Sequence, residues 1–207
     1  MVADPRRANP ATFPEAGALY SSPSMKYLEA IPGVRVVRNR SAKTIASLIS
    51  YYGTIGAVCE SSRWLARWME QAIGESDLPV VELGAGYGSV TSVLPDRTVS
   101  IERDLKRFEY LKGAFPNRTI IDTCATVFLA GLQHSTVVVS SIPSINNPEF
   151  GRLRASVAHA HRAGTVATLV TYTYFPHNPF VGIFPKSEMV GVEFLNLPPA
   201  FVWRYWC

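Results

Sequence analysis

Short apolar runs alternate with helix-like runs from residue 79 onwards. The apolar runs are rich in β-branched residues and lie at 79–83, 98–102, 118–121, 136–140 and 165–171. The runs between them have the apolar spacing of helices and lie at 88–94, 104–114, 125–132 and 148–162. Strict alternation of strand and helix predicts right-handed crossovers and a parallel sheet. Because the strand runs are continuously apolar, we expect strands that are buried on both faces.

The end of the chain follows a different pattern. Two further strand candidates, 190–195 and 200–206, are joined by "NLPP" without a helix between them, which predicts an antiparallel hairpin. The chain should therefore form a single α/β, Rossmann-like domain. Its seven-stranded sheet should be mostly parallel and should end in an antiparallel C-terminal hairpin.

We place the core of this domain at 75–207 and expect the segment before it to be helical. Residues 42–53 have the i, i+3, i+4, i+7 spacing of an amphipathic helix. A second helix should follow a cap at Ser61 or Ser62. Its apolar face would consist of Trp64, Leu65, Trp68, Met69 and Ala72. Residues 25–74 should thus form a helical lid, which either faces a membrane or simply packs on the core.

The net charge of +4 comes entirely from the N-terminal part of the chain. Residues 1–50 hold seven basic and three acidic residues, whereas the remainder holds thirteen of each. A basic lead segment suits an anionic membrane surface or a nucleic acid. Residues 1–24 are rich in Pro, Ala and Ser, so a disordered tail is the simpler expectation for them.

Other features of composition favour a cytoplasmic protein, with contact at the inner face of the cell membrane as an extension. No apolar run reaches the roughly 18 residues of a spanning helix, and the start has no apolar signal-peptide core. Cys59, Cys124 and Cys207 form no CxxC pair, which argues against a disulfide framework or a zinc site. His159 and His161 lie two apart on a predicted helix and face different sides. No metal site is therefore predicted.

The stretch "PVVELGAGYGSVTSVLP" (79–95) places Gly84, Gly86 and Gly88 directly after a predicted strand. In an open α/β sheet such a turn lies at the ligand crevice. A dinucleotide fingerprint would read G-x-G-x-x-G, and here the third glycine comes one residue early. The pattern E-x-G-x-G-x-G, with Glu82 as its acid, is instead that of S-adenosylmethionine-dependent methyltransferases. We therefore expect the backbone of this turn to face the methionyl part of that cofactor, with Glu82 near its ammonium group.

Groups after the next two strands complete the predicted cofactor site. Glu102 ends the second strand, eighteen residues after Gly84, where a carboxylate can accept hydrogen bonds from both ribose hydroxyls. The third strand ends near Asp122. Either that carboxylate or the backbone around Cys124 and Ala125 would meet the adenine amino group.

Four further segments surround the glycine motif along the chain. They are "IGAVCESS" (55–62), "VSSIPSIN" (139–146), "TYTYFPHNP" (171–179) and "NLPPAFVWRY" (196–205). In this order they resemble the bacterial phospholipid N-methyltransferase family, which is related to the rRNA adenine dimethylases. The resemblance covers roughly residues 42–206 and implies a class I methyltransferase fold. It also implies methylation of the amino headgroup of phosphatidylethanolamine at a membrane surface.

The resemblance assigns site residues by position. The residues that match the family's cofactor-binding set are Glu82, Gly84, Gly86, Gly88 and Glu102. Ser141, Ile142 and Pro143 match its strand-four motif, where a small polar residue and a rigid proline shape the methyl-transfer site. We accordingly expect Ser141 to contact the cofactor and Pro143 to contact the substrate.

The motif after strand five should lie beside the acceptor amine. Tyr174, Pro176 and Pro179 match the family there, and Asn178 belongs to the same predicted substrate site. An ammonium has no lone pair, so the amine must lose a proton, which His177 or Tyr174 could accept directly or through water. Aromatic faces suit a cation that gains methyl groups. The candidates for such a cage are Tyr51, Tyr52, Tyr172, Tyr174 and Phe175.

The chain departs from the family pattern at several positions. These are Glu60 for a proline, Cys124 for an acid, Phe175 for a glycine and His177 for an arginine. Losing the arginine removes a cation suited to a lipid phosphate, so a soluble metabolite or natural-product intermediate is an alternative acceptor. RNA adenine methylation is disfavoured by the neutral body of the chain and by Ser-Ile-Pro after strand four. A binding protein that keeps the pocket without turnover is a further alternative.

Overall fold

The computed structural model describes residues 63–194 and 199–207. Predictions for residues 1–62, including the helix at 42–53 and the cage residues Tyr51 and Tyr52, lie outside the described residues. The helices are α1 (Arg63–Ile73), α2 (Leu105–Ala114), α3 (Ala125–Ala130) and α4 (Phe150–Arg162). The strands are β1 (Val80–Leu83), β2 (Val99–Glu102), β3 (Thr119–Asp122), β4 (Thr136–Ser140), β5 (Val166–Thr173), β6 (Lys186–Glu193) and β7 (Ala200–Trp206).

The strands form one seven-stranded sheet in the order β3-β2-β1-β4-β5-β7-β6. Strands β1 to β5 pair in parallel, and β7 runs antiparallel to both β5 and β6. The predicted α/β fold, with a mostly parallel sheet and an antiparallel C-terminal hairpin, is therefore confirmed. The strand order reverses beside β1, which lies between β2 and β4. In such sheets the ligand crevice lies at the carboxyl ends of the strands around this reversal.

Residues 88–94 form turns rather than the predicted helix. The amide of Ser92 bonds to the carbonyl of Gly88 with helical spacing, but the next amide bonds to a carbonyl only three residues back. The segment consists mainly of β-branched and hydroxyl-bearing residues, which have low helix propensity, and Pro95 ends it. Its apolar spacing still has a structural meaning, because Val90 is buried in the core.

Strand β6 begins at Lys186, four residues before the predicted start. Its first residues are polar and exposed, and Lys186 pairs with Trp206 at the far end of β7. Backbone pairing with β7 therefore extends the strand beyond its apolar part. An irregularity between Met189 and Gly191 interrupts the pairing, as is common at the edge of a sheet.

Both faces of the sheet are covered, as the continuous apolar runs predicted. Alternate residues of β1 enter opposite clusters: Val80 packs with the α1 side of the core, and Val81 packs with the α3 and α4 side. The α1 side includes Leu65 and Met69, which are fully buried. Burial on both faces holds the central strands rigidly, so their carboxyl ends can position a site.

Trp64 does not lie on the buried face of α1, contrary to the prediction. Its side chain is 41% exposed, and the guanidinium groups of Arg63 and Arg67 lie 5.2 and 5.4 Å from its ring. Leu65 and Met69, which were predicted to lie on the same face, are buried in the core as expected. None of the described helices has the length and apolarity needed to cross a bilayer.

Candidate functional site

The turn after β1 is bound to the end of β2. The amides of Gly84 and Ala85 both donate to the carbonyl of Ile101, at 2.8 and 3.1 Å. The amide of Gly86 then donates to Oε2 of Glu102 at 2.8 Å. These bonds hold the glycine turn against the carboxyl end of β2, beside the reversal of strand order.

The three glycines of this turn serve different purposes. Gly84, Gly86 and Gly88 have φ angles of 74°, 61° and 87°, a region that glycine enters without strain. A Cβ on Gly84 would lie 2.6 Å from Cγ1 of Ile142, and a Cβ on Gly88 would overlap the ring of Phe115. A Cβ on Gly86 would meet no atom of the described residues within 4 Å, its two chain neighbours aside. Gly86 is therefore the glycine whose missing side chain leaves open space, while the other two make room for the chain's own side chains.

Glu102 is held in one orientation by two backbone amides. Its Oε2 accepts from Gly86, and its Oε1 accepts from the amide of Asp104 at 2.9 Å. The residue is 5% exposed. Each carboxylate oxygen has more than one lone pair, so the group can still accept hydrogen bonds from a ligand. This is the carboxylate that sequence reasoning assigned to the ribose.

Glu82 is fully buried, and only one of its two carboxylate oxygens has hydrogen-bond partners among the described residues. Its Oε2 accepts from the hydroxyls of Thr91 and Ser100, each at 2.7 Å. Its Oε1 is buried and has no hydrogen-bond partner among the described residues. Burial raises the pKa of this carboxyl, and the two hydroxyl donors oppose that rise. The free oxygen is suited to a ligand donor, as the predicted ammonium contact requires.

Sequence reasoning missed the two hydroxyls on Glu82. Ser100 lies directly opposite Glu82 in the β1–β2 register, so a strand alignment could have found it. Thr91 comes from the turns that replace the predicted helix, and no linear signal marked it.

The end of β4 supplies a group of hydroxyls. The amide of Ser141 donates to the carbonyl of Leu83 at 2.9 Å, which brings the strand-four motif beside the glycine turn. Three neighbouring side-chain hydroxyls are buried and have no hydrogen-bond partner among the described residues, namely those of Ser140, Ser141 and Ser144. Pro143 lies between them, and its carbonyl accepts from Asn147. Buried hydroxyls without partners are unfavourable in a finished core, so this end of the sheet is suited to a polar ligand.

Tyr174 and His177 follow β5, which is the neighbour of β4. The ring of Tyr174 packs edge-on against Tyr172 at 5.6 Å. Nδ1 of His177 lies 3.3 Å from Oγ1 of Thr173. Burial lowers the pKa of the imidazole, which keeps it neutral and able to accept a proton near pH 7.

Asn178 is fixed by contacts within the fold. Its Oδ1 accepts from the hydroxyl of Tyr205 at 2.9 Å and from the amide of Phe180 at 3.1 Å. Its Nδ2 donates to Oγ of Ser187 at 3.1 Å. The bonds to Ser187 and Tyr205 tie the loop after β5 to strands β6 and β7, and the bond from Phe180 lies within the loop. The substrate contact assigned to Asn178 from the sequence remains a prediction, because its amide is occupied here.

The predicted adenine side lies at the end of β3. Asp122 pairs with Glu102 in the β2–β3 register and is exposed. Sγ of Cys124 lies 3.2 Å from Oγ1 of Thr126, a contact that lowers the pKa of the thiol. Ala125 is buried at the start of α3. In the described part of the chain, no three His, Cys, Asp or Glu side chains are grouped to hold a metal ion.

Solved structures with similar folds were found at low sequence identity. The precorrin-6y C5,15-methyltransferase of Geobacter metallireducens matches with a TM-score of 0.54 and 14% identity, over 72% of this chain and 90% of that chain. The 23S rRNA methyltransferase ErmE matches with a TM-score of 0.52 and 22% identity, over 70% of this chain and 67% of that chain. The chain has the class I methyltransferase fold.

One curated protein gives a match in sequence. The ornithine lipid N-methyltransferase of Singulisphaera acidiphila is 32% identical over 114 residues, which are 47% of this chain and 59% of that protein. The match thus spans less than two thirds of the relative's length. No model of a protein family matches the chain, so the resemblance to the phospholipid-specific family remains a prediction.

Proposed function

We propose that the protein is an S-adenosylmethionine-dependent methyltransferase that transfers a methyl group to an amine. The observation that carries the proposal is the corner formed by Gly86 and Glu102, where open space at a glycine lies beside a fixed carboxylate. The unsatisfied Oε1 of Glu82 lies on the strand before that corner. The fold and the sequence relative both support this chemistry.

The residues of the corner fit the cofactor's functional groups. Glu82 would hold the ammonium through Oε1, the backbone of Gly86 would lie against the methionyl part, and Glu102 would accept from the ribose hydroxyls. Asp122 and the backbone around Cys124 and Ala125 would hold the adenine, with Ser141 on the β4 side. When bound, this cofactor supplies a methyl group already activated on a sulfonium.

The acceptor amine would bind between the ends of β4 and β5. The buried hydroxyls near Pro143 can hydrogen-bond a polar headgroup. His177 is the stronger candidate for the proton acceptor, because burial keeps its imidazole neutral. The proton would pass to Nε2, because Nδ1 lies 3.3 Å from Oγ1 of Thr173. Tyr174 remains the alternative.

We propose a lipid headgroup as the acceptor, with phosphatidylethanolamine as the first substrate to test. The partial match to a lipid N-methyltransferase and the segments that resemble the phospholipid family favour a lipid amine over an RNA. A second candidate is an amine lipid without a phosphate, because His177 stands where the phospholipid family has an arginine. A soluble amine is the remaining alternative.

Lipid analysis of an expression host tests this proposal. The host's membranes should contain phosphatidylethanolamine and ornithine lipids but no methylated derivatives of either. We expect mass spectrometry to find methylated headgroups with the wild-type chain and none with a Gly86→Val variant, because valine fills the open space. Glu109→Gln, a change at an exposed site on α2, should leave methylation unchanged. Unmethylated lipids together with a wild-type protein that binds the cofactor would shift the assignment to a soluble amine.

A further inference from the structure

Tyr87 lies in the glycine turn between Gly86 and Gly88, yet it does not enter the core. Its side chain is 46% exposed. The ring packs edge-on against Tyr110 of α2, with 5.4 Å between the ring centroids. The guanidinium carbon of Arg107, also on α2, lies 5.5 Å from the ring centroid of Tyr87. The tyrosine therefore ties the turn to a neighbouring helix from the outside.

A chain of hydrogen bonds leads from that helix back to the glycine turn. The amide of Arg107 donates to Oδ1 of Asp104 at 3.0 Å, which caps the N-terminus of α2. The amide of Asp104 donates to Oε1 of Glu102, and Oε2 of Glu102 accepts from Gly86. Because Tyr87 directly follows Gly86, these contacts form a closed cycle, which we call the Tyr87 contact cycle. Its members are Gly86, Glu102, Asp104, Arg107 and Tyr87.

The Tyr87 contact cycle would restrain a turn whose backbone is otherwise flexible. Glycine has more conformational freedom than any other residue, and this turn has three glycines at alternate positions. Gly88 is confined by the side chains of Phe115 and Leu111, but in the part of the chain that the structure describes, no residue other than its two chain neighbours lies within 4 Å of a Cβ placed on Gly86. Tyr87 is the next residue along the chain, and its contacts with Tyr110 and Arg107 of α2 would restrain the Gly86 amide that donates to Glu102.

We propose that Tyr87 and Arg107 are positioning residues that orient Glu102 and thereby set recognition of the ribose hydroxyls. This inference rests on the proposed function. Neither side chain needs to touch the ligand, since both act through the carboxylate. An exposed tyrosine with only a surface packing role would affect stability, whereas a positioning residue affects how strongly the site distinguishes a ribose from a deoxyribose.

Calorimetric titration with two ligands measures that distinction. The ligands are S-adenosylhomocysteine and its 2′-deoxy form, titrated into the full-length wild-type chain and its variants. The wild type should prefer the ribose form by roughly tenfold or more, as expected for a hydrogen bond to a charged group. Tyr87→Ala should reduce this preference by about two- to fivefold, the range of an exposed cation–π contact. Tyr87→Phe keeps the ring and should keep the preference.

Matched variants separate positioning from a loss of folding. Arg107→Gln removes the cation and leaves the tyrosine in place, so it should lower the preference in the same direction as Tyr87→Ala. Trp64→Ala removes an exposed aromatic ring that also lies against two arginines, on α1, and should leave the preference unchanged. Thermal unfolding of each variant shows whether it is folded at the titration temperature.

The two proposals fail in different ways. If wild-type protein binds S-adenosylhomocysteine but Tyr87→Ala and Arg107→Gln keep the full ribose preference, the positioning role is wrong and the proposed function stands. If the wild type binds neither ligand, the proposed function itself is wrong, and the inference falls with it. A lower preference in both variants, with recovery in Tyr87→Phe, would establish the role.

Discussion

The amide of Gly86 donates a 2.8 Å hydrogen bond to Oε2 of Glu102 and so joins the ends of β1 and β2. The same carboxylate accepts from Asp104 through its other oxygen. A backbone turn with open space is thus held directly against a buried acid. This contact supports the proposal that the glycine motif is part of a cofactor site.

Glu102→Gln should weaken binding of S-adenosylhomocysteine by roughly tenfold or more. A glutamine has one acceptor oxygen, so its amino group would face the N–H of either Gly86 or Asp104. The carboxylate charge that suits two ribose hydroxyls would also be lost. Calorimetric titration checks this prediction, with Glu109→Gln as the matched control on exposed surface. Equal binding by wild type and Glu102→Gln would contradict the assignment of Glu102.

Gly86→Ala and Gly164→Ala should have similar effects on stability but different effects on binding. Both glycines have positive φ, 61° and 76°, and among the described residues a Cβ on either would meet nothing within 4 Å apart from its chain neighbours. Each alanine should therefore cost about 1–2 kcal/mol of unfolding free energy through backbone strain alone. Only the methyl group at Gly86 would enter the ligand space. Denaturant unfolding and calorimetric titration check this prediction. If the two variants have the same unfolding free energy and also bind S-adenosylhomocysteine equally well, the open space beside Gly86 is not the cofactor site.

Much of the architecture could be predicted because it follows from local patterns. The alternation of apolar and amphipathic runs predicted the strands and their parallel pairing, and the absence of a helix between the last two strand candidates predicted the C-terminal hairpin. Local patterns did not predict the structure of residues 88–94, which form turns instead of a helix. Its apolar spacing was correct, since Val90 is buried, but spacing alone could not show that Thr91 bonds to Glu82 in a segment that forms turns.

The stability of the wild type should fall relative to Glu82→Gln as the pH rises. Burial raises the pKa of Glu82 above its ordinary value of 4.5 in the folded protein, so the folded state holds this proton more tightly than the unfolded state. The stabilising effect of the proton is complete below the ordinary pKa and is lost as the pH rises through the folded pKa. A glutamine has no proton to lose.

Urea unfolding between about pH 5 and about pH 8 measures this effect. We expect the difference in unfolding free energy between Glu82→Gln and wild type to grow in favour of the variant. Glu109→Gln, a change at an exposed position, is measured in parallel as the control. A constant difference across the pH range would mean that Glu82 ionises normally in the folded protein.

Asn178→Ala should destabilise the protein by about 1–3 kcal/mol, because it leaves the buried hydroxyl of Tyr205 without its acceptor. Tyr205→Phe removes that hydroxyl and should destabilise the protein less than Asn178→Ala does. The double variant should cost less than the two single changes together, since the shared bond is lost only once. Denaturant unfolding of the three variants tests the cycle. Strict additivity would show that the 2.9 Å bond between Asn178 and Tyr205 contributes little.

The residues of the candidate site could be predicted where they belong to a motif along the chain. The contacts that the sheet makes between distant segments were harder to predict. Glu82, Gly86 and Glu102 could be found from spacing along the chain. The purposes of the glycines could not, because the side chains that crowd Gly84 and Gly88 come from Ile142 and Phe115. The role of Tyr87 also depends on its contact with α2, to which the sequence gives no pointer.

The central claim is that the corner of Gly86 and Glu102 binds S-adenosylmethionine. Calorimetric titration of the purified full-length chain with S-adenosylhomocysteine tests it most directly, with NAD titrated in parallel. We predict one S-adenosylhomocysteine per chain, loss of that binding in Gly86→Val, and no binding of NAD. Binding of NAD, or binding of S-adenosylhomocysteine that survives Gly86→Val, would contradict the claim.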